Sequence, residues 1–167
     1  MKGRIIAAFP CSGKTHAVTK YYNMLNCIDH DFYDWRYRST YKEDEWLDHY
    51  MIRMQQLRKK FEYVFVNALP EIILKLPKDS IIIYPNRNMK AEWLTRAKSR
   101  GGVSKFPQLL EEKWNEWVDA CKNWPGKSYV LYKEEYLSDI IKCSFGITVN
   151  VPMPGGTAPL MKIGDSK

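Results

Sequence analysis

The sequence predicts an α/β fold: a five-stranded parallel sheet flanked by helices. Two observations carry this expectation. Five short, nearly all-apolar runs recur along the chain, as strands buried on both faces do. Stretches with helical periodicity separate them, as crossovers between parallel strands require. A third observation bears on function, because a Gly-Lys-Thr triplet follows closely on the first run.

Residues 4–9 form the first expected strand, and residues 15–25 the first helix, with Ala17, Val18, Tyr21, Tyr22 and Leu25 at helical spacing. A short second strand is expected at 26–28, ending in Asp29-His30-Asp31, and residues 32–40 are aromatic and basic without clear periodicity. The strongest helix is expected over 43–61. Trp46, Tyr50, Met54, Leu57 and Phe61 share one face, and Glu43, Asp44 and Glu45 suit the positive end of its dipole. Residues 63–67 give a third strand, Pro70 opens a short helix through Leu76, and 80–84 give a fourth strand closed by Pro85. A basic helix follows over 89–99, stopped by Gly101-Gly102. An amphipathic helix over 109–124 has Leu110, Trp114, Trp117, Cys121 and Trp124 along one side, and 128–132 form the fifth strand. Residues 1–150 thus read as a single domain, and 151–167, rich in Pro and Gly, as a flexible tail.

A chain of 167 residues with 45% hydrophobic and 14% aromatic content suits one folded domain and excludes a disordered one. The net charge of +7 favours polyanionic partners, nucleotides or nucleic acid. Between Arg87 and Lys105 the bases Arg87, Lys90, Arg96, Lys98, Arg100 and Lys105 are opposed only by Glu92. Cys11, Cys27, Cys121 and Cys143 form no Cys-x-x-Cys pair. With no signal peptide and no run of membrane-spanning length, the chain reads as cytoplasmic, without a membrane partner.

Residues 8–15 read Ala-Phe-Pro-Cys-Ser-Gly-Lys-Thr, a phosphate-binding loop (Walker A pattern) in all but its first glycine, which is Ala8. Backbone N–H groups across Pro10, Cys11, Ser12, Gly13, Lys14 and Thr15 would surround an anion at a helix start, Lys14 would reach the β- and γ-phosphates, and the Thr15 hydroxyl would ligate Mg²⁺. Asp29 and Asp31 stand at alternate positions, so an extended segment would point both carboxylates one way, to hold Mg²⁺ or take a proton from an attacking hydroxyl. His30 between them is expected to face away. Arg36 and Arg38 could grip an acceptor phosphate, or simply belong to a solvated basic loop. Arg96 and Arg100, four apart on one helix face, and Arg87 could neutralise a migrating phosphoryl group; a nucleic-acid face and a solvated helix are the competing readings. The third strand ends in Asn67 where many nucleoside triphosphatases have an Asp; Asn67 could orient a water or phosphate but cannot act as a base. Glu71 is a fallback acid.

On residues 5–15, Asp29-His30-Asp31, the strand Ile81-Ile82-Ile83-Tyr84-Pro85, the basic helix ending at Arg100-Gly101, and Tyr136-Leu137-Ser138-Asp139, the chain resembles the P-loop nucleoside and nucleoside monophosphate kinases, and small bacteriophage-encoded kinases among them. The resemblance spans roughly residues 3–141, and only the phosphate loop is specific. It implies a three-layer P-loop NTPase fold of adenylate-kinase type, with an acceptor-binding segment at 29–62 and a basic lid at 87–105. It further implies transfer of the ATP γ-phosphate, with Mg²⁺, to a nucleotide acceptor, expected to be a (deoxy)nucleoside monophosphate. By position Lys14 and Thr15 take the phosphate and metal roles, Asp29 or Asp31 the acceptor, base or metal role, and Arg96 or Arg100 the lid role. A phage-encoded chain would work in host cytoplasm, as a monomer or homodimer. Two alternatives stand beside this reading: a kinase acting on a base or an end within DNA, and a nucleotide-binding regulatory protein without catalysis.

Overall fold

In the computed structural model residues 2–31, 42, 45–100 and 105–144 are described. The strands are β1 (Arg4–Ala8), β2 (Cys27–Asp29), β3 (Tyr63–Asn67), β4 (Ile81–Pro85) and β5 (Ser128–Leu131), all parallel, in the order β2-β3-β1-β4-β5. The helices are α1 (Lys14–Leu25), α2 (Trp46–Leu57), α3 (Pro70–Ile73), α4 (Lys90–Ser99), α5 (Lys105–Lys122) and α6 (Leu137–Ser144), with one 3₁₀ turn at Arg87–Met89. The expected α/β sheet flanked by helices is the fold observed.

Burial explains the strand sequences. Ile5, Ile6, Ala7 and Ala8 are fully buried, and Val64, Phe65, Val66, Ile82 and Ile83 are nearly so, because β1, β3 and β4 are central and covered on both faces. The chain moves from β1 outward on one side to β2 and β3, then crosses back to β4 and β5. The crevice at this reversal opens at the carboxyl end of β1, where such sheets bind ligands. Trp93, Trp114 and Trp117 line the core under α4 and α5; Phe9, just past β1, meets Trp114 edge-on at 5.5 Å and Trp117 at 6.2 Å between ring centroids.

Several element limits differ from the expectation for local physical reasons. Helix α5 starts at Lys105, not 109, because Pro107 lies in the first turn, where its missing N–H has no intrahelical partner to lose. Helix α3 stops at Ile73 and tightens into turns, Lys75 N donating to Ile72 O and Leu76 N to Ile73 O. Helix α6 was not expected. Asp139 accepts from Tyr136 N at 2.8 Å, closing the first turn in place of a Ser or Thr cap, and Leu137 and Ile141 are buried beneath it. The expected tail at 151–167, residues 32–41 and Gly101-Gly102 lie outside the described residues.

Candidate active site

The loop between β1 and α1 is shaped by two residues with positive φ, Cys11 (64°) and Gly13 (92°). Gly13 is needed twice over: a side chain there would be strained, and its Cβ would lie 3.3 Å from the Tyr136 ring. Ala8 needs no such freedom. It is the last residue of β1, paired with Asn67 and Ile83, and is not among the positive-φ residues. The missing first glycine is therefore met by ordinary strand geometry. Ser12 N donates to Phe9 O at 3.1 Å and Ala17 N to Gly13 O at 2.9 Å, so the loop runs directly into the helix.

Lys14 lies between two groups of side chains. On the β2 side its Nζ is 2.5 Å from Asp31 Oδ2 and donates to Asn67 Oδ1 at 2.8 Å. Thr15 Oγ1 donates to Asp29 Oδ2 at 3.0 Å. The Asp29/Asp31 alternation expected of an extended segment does not occur. The strand ends at Asp29, the chain turns helical at His30, and Asp31 N folds back to donate to Asp29 Oδ1 at 3.1 Å. Asp29 thus stands by Thr15 and Asp31 by Lys14, so the oxygen pair next to the helix start is Thr15 and Asp29, not Thr15 and Asp31. Burial pushes the Asp29 carboxyl above its ordinary range, against the pull of Lys14. His30 faces away from the acids' target. It is buried, with Nε2 3.1 Å from Tyr50 O and its ring 4.2 Å from the Tyr50 ring, and burial lowers its pKa.

Tyr50, which the sequence places on the apolar face of α2, reaches the candidate site with its hydroxyl. Its hydroxyl donates to Asp31 Oδ1 at 2.8 Å and accepts from Asn67 N at 3.3 Å, tying β2, β3 and α2 together beneath Lys14. Helical spacing could not reveal this, because the ring occupies the apolar face while the hydroxyl reaches past it.

On the other side of Lys14 opens a cavity of about 320 Å³. The loop from Cys11 to His16 forms its floor, and Arg96, Ser99, Arg100 and Tyr136 form its wall. Asp29 and Asp31 do not line it, whereas Lys14 and Thr15 do. Two buried polar atoms on its lining residues, Ser12 Oγ and Arg96 Nη1, have no hydrogen-bond partner among the described residues. An anion-filled cavity would supply such partners.

The arginines divide. Arg96 is buried, its guanidinium 4.0 Å from the ring centroids of both Trp93 and Tyr136, and its Nη2 donates to Glu92 and, at 2.9 Å, to Glu135 O. Arg100 is exposed, and its Nη1 lies 3.6 Å from Cys11 Sγ. Arg87 is not brought to the loop; it pairs with Asp119 of α5 on the surface. The described part of the expected lid, 87–100, is packed into the molecule: Trp93 is fully buried and its Nε1 donates to Pro10 O at 2.9 Å. Glu71 lies in the first turn of α3 and takes no part in this network. Arg36 and Arg38 lie outside the described residues.

Among the described residues no helix is long and apolar enough to cross a membrane. No protein-family profile matches the chain, and no curated protein matches it. Among solved structures the chain is similar to a gluconokinase from Sinorhizobium meliloti 1021, at a TM-score of 0.49 and 15% identity, over 84% of this chain and 87% of that one.

Proposed function

We propose that this chain is a phosphate-loop phosphotransferase that uses ATP with Mg²⁺ and phosphorylates a nucleotide, a (deoxy)nucleoside monophosphate. The observation that carries the reading is the position of Lys14. It stands at the border between an anion-type cavity on the loop side and a pair of carboxylates on the β2 side. Transfer between two substrates would use both sides, the loop for the donor phosphates and the carboxylates to orient the acceptor.

In this reading the loop amides and Ser12 hold the donor phosphates, and Lys14 turns from Asp31 toward them. Asp31 is then free to accept the proton of the attacking acceptor oxygen or to orient the acceptor. The donor set fits Mg²⁺: two octahedral ligands about 2.1 Å from the ion sit about 3.0 Å apart, and Thr15 Oγ1 and Asp29 Oδ2 are 3.0 Å apart. When bound, Mg²⁺ would neutralise charge between the β- and γ-phosphates. Arg100, whose guanidinium is exposed beside the loop, supplies mobile positive charge, and Arg96 fixes the wall.

The test is an assay of ATP with a panel of ribo- and deoxynucleoside monophosphates, products identified by mass spectrometry. One acceptor should gain a phosphate, and Lys14→Ala should reduce the rate by at least about 100-fold. No phosphorylated product, or an unaffected Lys14→Ala variant, overturns the reading. Because Lys14 is paired with Asp31 and donates to Asn67 in this structure, a regulatory nucleotide binder is the second reading. Calorimetric ATP affinity without turnover on any acceptor would favour it.

A further inference from the structure

At the candidate active site Lys14 and Arg96 both face carboxylates, so much of the positive charge of the described residues stands elsewhere. It lies in part at the opposite edge of the sheet. Read along the strand order, each of four adjacent strands is entered past exposed cations: Lys59 and Lys60 before β3, Lys2 and Arg4 at β1, Lys78 before β4 and Lys127 before β5. Backbone hydrogen bonds join the β3 entry to β1 and the β4 entry to β5, and the Arg58 side chain, donating to Gly3 O and to Asp79, spans the two pairs. Gly3 N donates to Arg58 O at 2.8 Å, Arg4 N to Glu62 O at 2.7 Å and Ile82 N to Lys127 O at 3.0 Å. The carboxylates there offset little: Asp79 is taken by the buried Arg58, leaving Glu62. At about 4.8 Å between strands, the row runs about 15 Å, and a five-residue strand sets it roughly 16 Å from the phosphate loop.

The geometry points to this amino-terminal edge as a second, polyanion-binding site that takes the phosphate backbone of single-stranded nucleic acid. A row of cations spread over four strands can follow a run of backbone phosphates, and Phe61 and Trp124 lie half-buried at the same edge. Lys14 and its loop lie at the other end of the strands. A strand bound here is therefore held by the protein without entering the phosphoryl-transfer site. The inference does not depend on the proposed activity.

The test is fluorescence anisotropy with a labelled 12-nucleotide DNA strand, titrated across 50–200 mM salt, alongside the kinase assay. The wild type should bind at 50 mM salt. The charge-reversed Lys59→Glu/Lys60→Glu/Lys78→Glu variant should bind at least about tenfold more weakly, with a salt slope smaller by about 2, from ~0.7 per phosphate contact. Should the reversal disturb folding, the neutral Lys59→Gln/Lys60→Gln/Lys78→Gln variant should show the same smaller slope. Binding should persist in Lys14→Ala and with ATP in excess. Three outcomes overturn the proposal: no binding at 50 mM salt, loss of binding with ATP or in Lys14→Ala, or tighter binding to phosphatidylserine vesicles than to the strand. A failed kinase assay with intact strand binding would sink only the proposed function.

Discussion

Lys14, Asp29, Asp31 and Tyr50 form a small, partly buried polar network whose members can be tested one at a time. Tyr50→Phe keeps the ring stacked on His30 but removes the hydroxyl that serves Asp31 Oδ1 and Asn67 N. Leaving those two groups short of a partner should cost about 1–3 kcal/mol in urea unfolding. Turnover should also fall about tenfold through a loosened Asp31. Unchanged turnover would show that Tyr50 only packs. Asp29 poses the opposite case. Its folded pKa is raised by burial, so folding takes up a proton between the ordinary carboxylate pKa and the raised one. Stability therefore falls as pH rises through that window and stays level above it. Asp29→Asn removes the buried charge and should raise Tm at pH 7 by about 2–4 °C. The gain should vanish below about pH 4, where both forms are neutral. Thermal scans at pH 3.5 and 7 check this; a lower Tm at pH 7 would mean that the bonds from Thr15 and Asp31 N outweigh desolvation.

Helix α4 and its C-cap carry two arginines one turn apart, Arg96 and Arg100, and their surroundings differ through the element packed against the helix. Arg96 is clamped between Trp93 of its own helix and Tyr136 ahead of α6, and Glu92 also accepts from Glu134 N at 3.1 Å. The 132–136 segment is thereby fastened to α4, while Leu137 N donating to Ser12 O at 2.9 Å fastens it to the phosphate loop. Arg96→Lys loses the planar stack and should destabilise by about 2 kcal/mol. Arg100→Lys, at an exposed guanidinium, should change stability by less than about 0.5 kcal/mol while slowing phosphoryl transfer. Urea melts and initial rates on the two variants separate these roles; equal effects on stability would refute the division. The same helix shows what sequence could and could not convey. The Arg96/Arg100 spacing and the basic character were legible, because both depend on neighbours four residues away. The burial of Arg96 depends on Tyr136, forty residues on, and no local pattern encodes that. The phosphate loop was legible for the opposite reason: strand, turn and helix start are contiguous in the chain. Tyr50 was hidden because one residue serves the core with its ring and the site with its hydroxyl.

At the scale of the whole molecule, the sheet's order makes its most buried strand also the one that carries the phosphate-loop motif. Strand β1 is hydrogen-bonded on both sides, to β3 through five paired positions and to β4 through three, and it leads directly into the phosphate loop. Strand β2 is a three-residue edge that carries Asp29, and β5 is a half-exposed edge that leads to Tyr136. A rigid centre therefore presents the loop, and the two less protected edges bring the acids and the aromatic wall to it. Local opening should follow the same order. In amide hydrogen exchange read by mass spectrometry, peptides of β1, β3 and β4 should exchange slowest, at the rate of global unfolding, with β5 and α6 faster. Saturating ATP and Mg²⁺ should slow exchange across Cys11–Thr15 and the 132–137 segment, which Ser12 O and Arg96 join to the loop, and should leave the amino-terminal edge at Lys59–Glu62 unchanged. Slowing at that edge, or none at 132–137, would show that the loop and its wall are not the coupled unit these contacts describe.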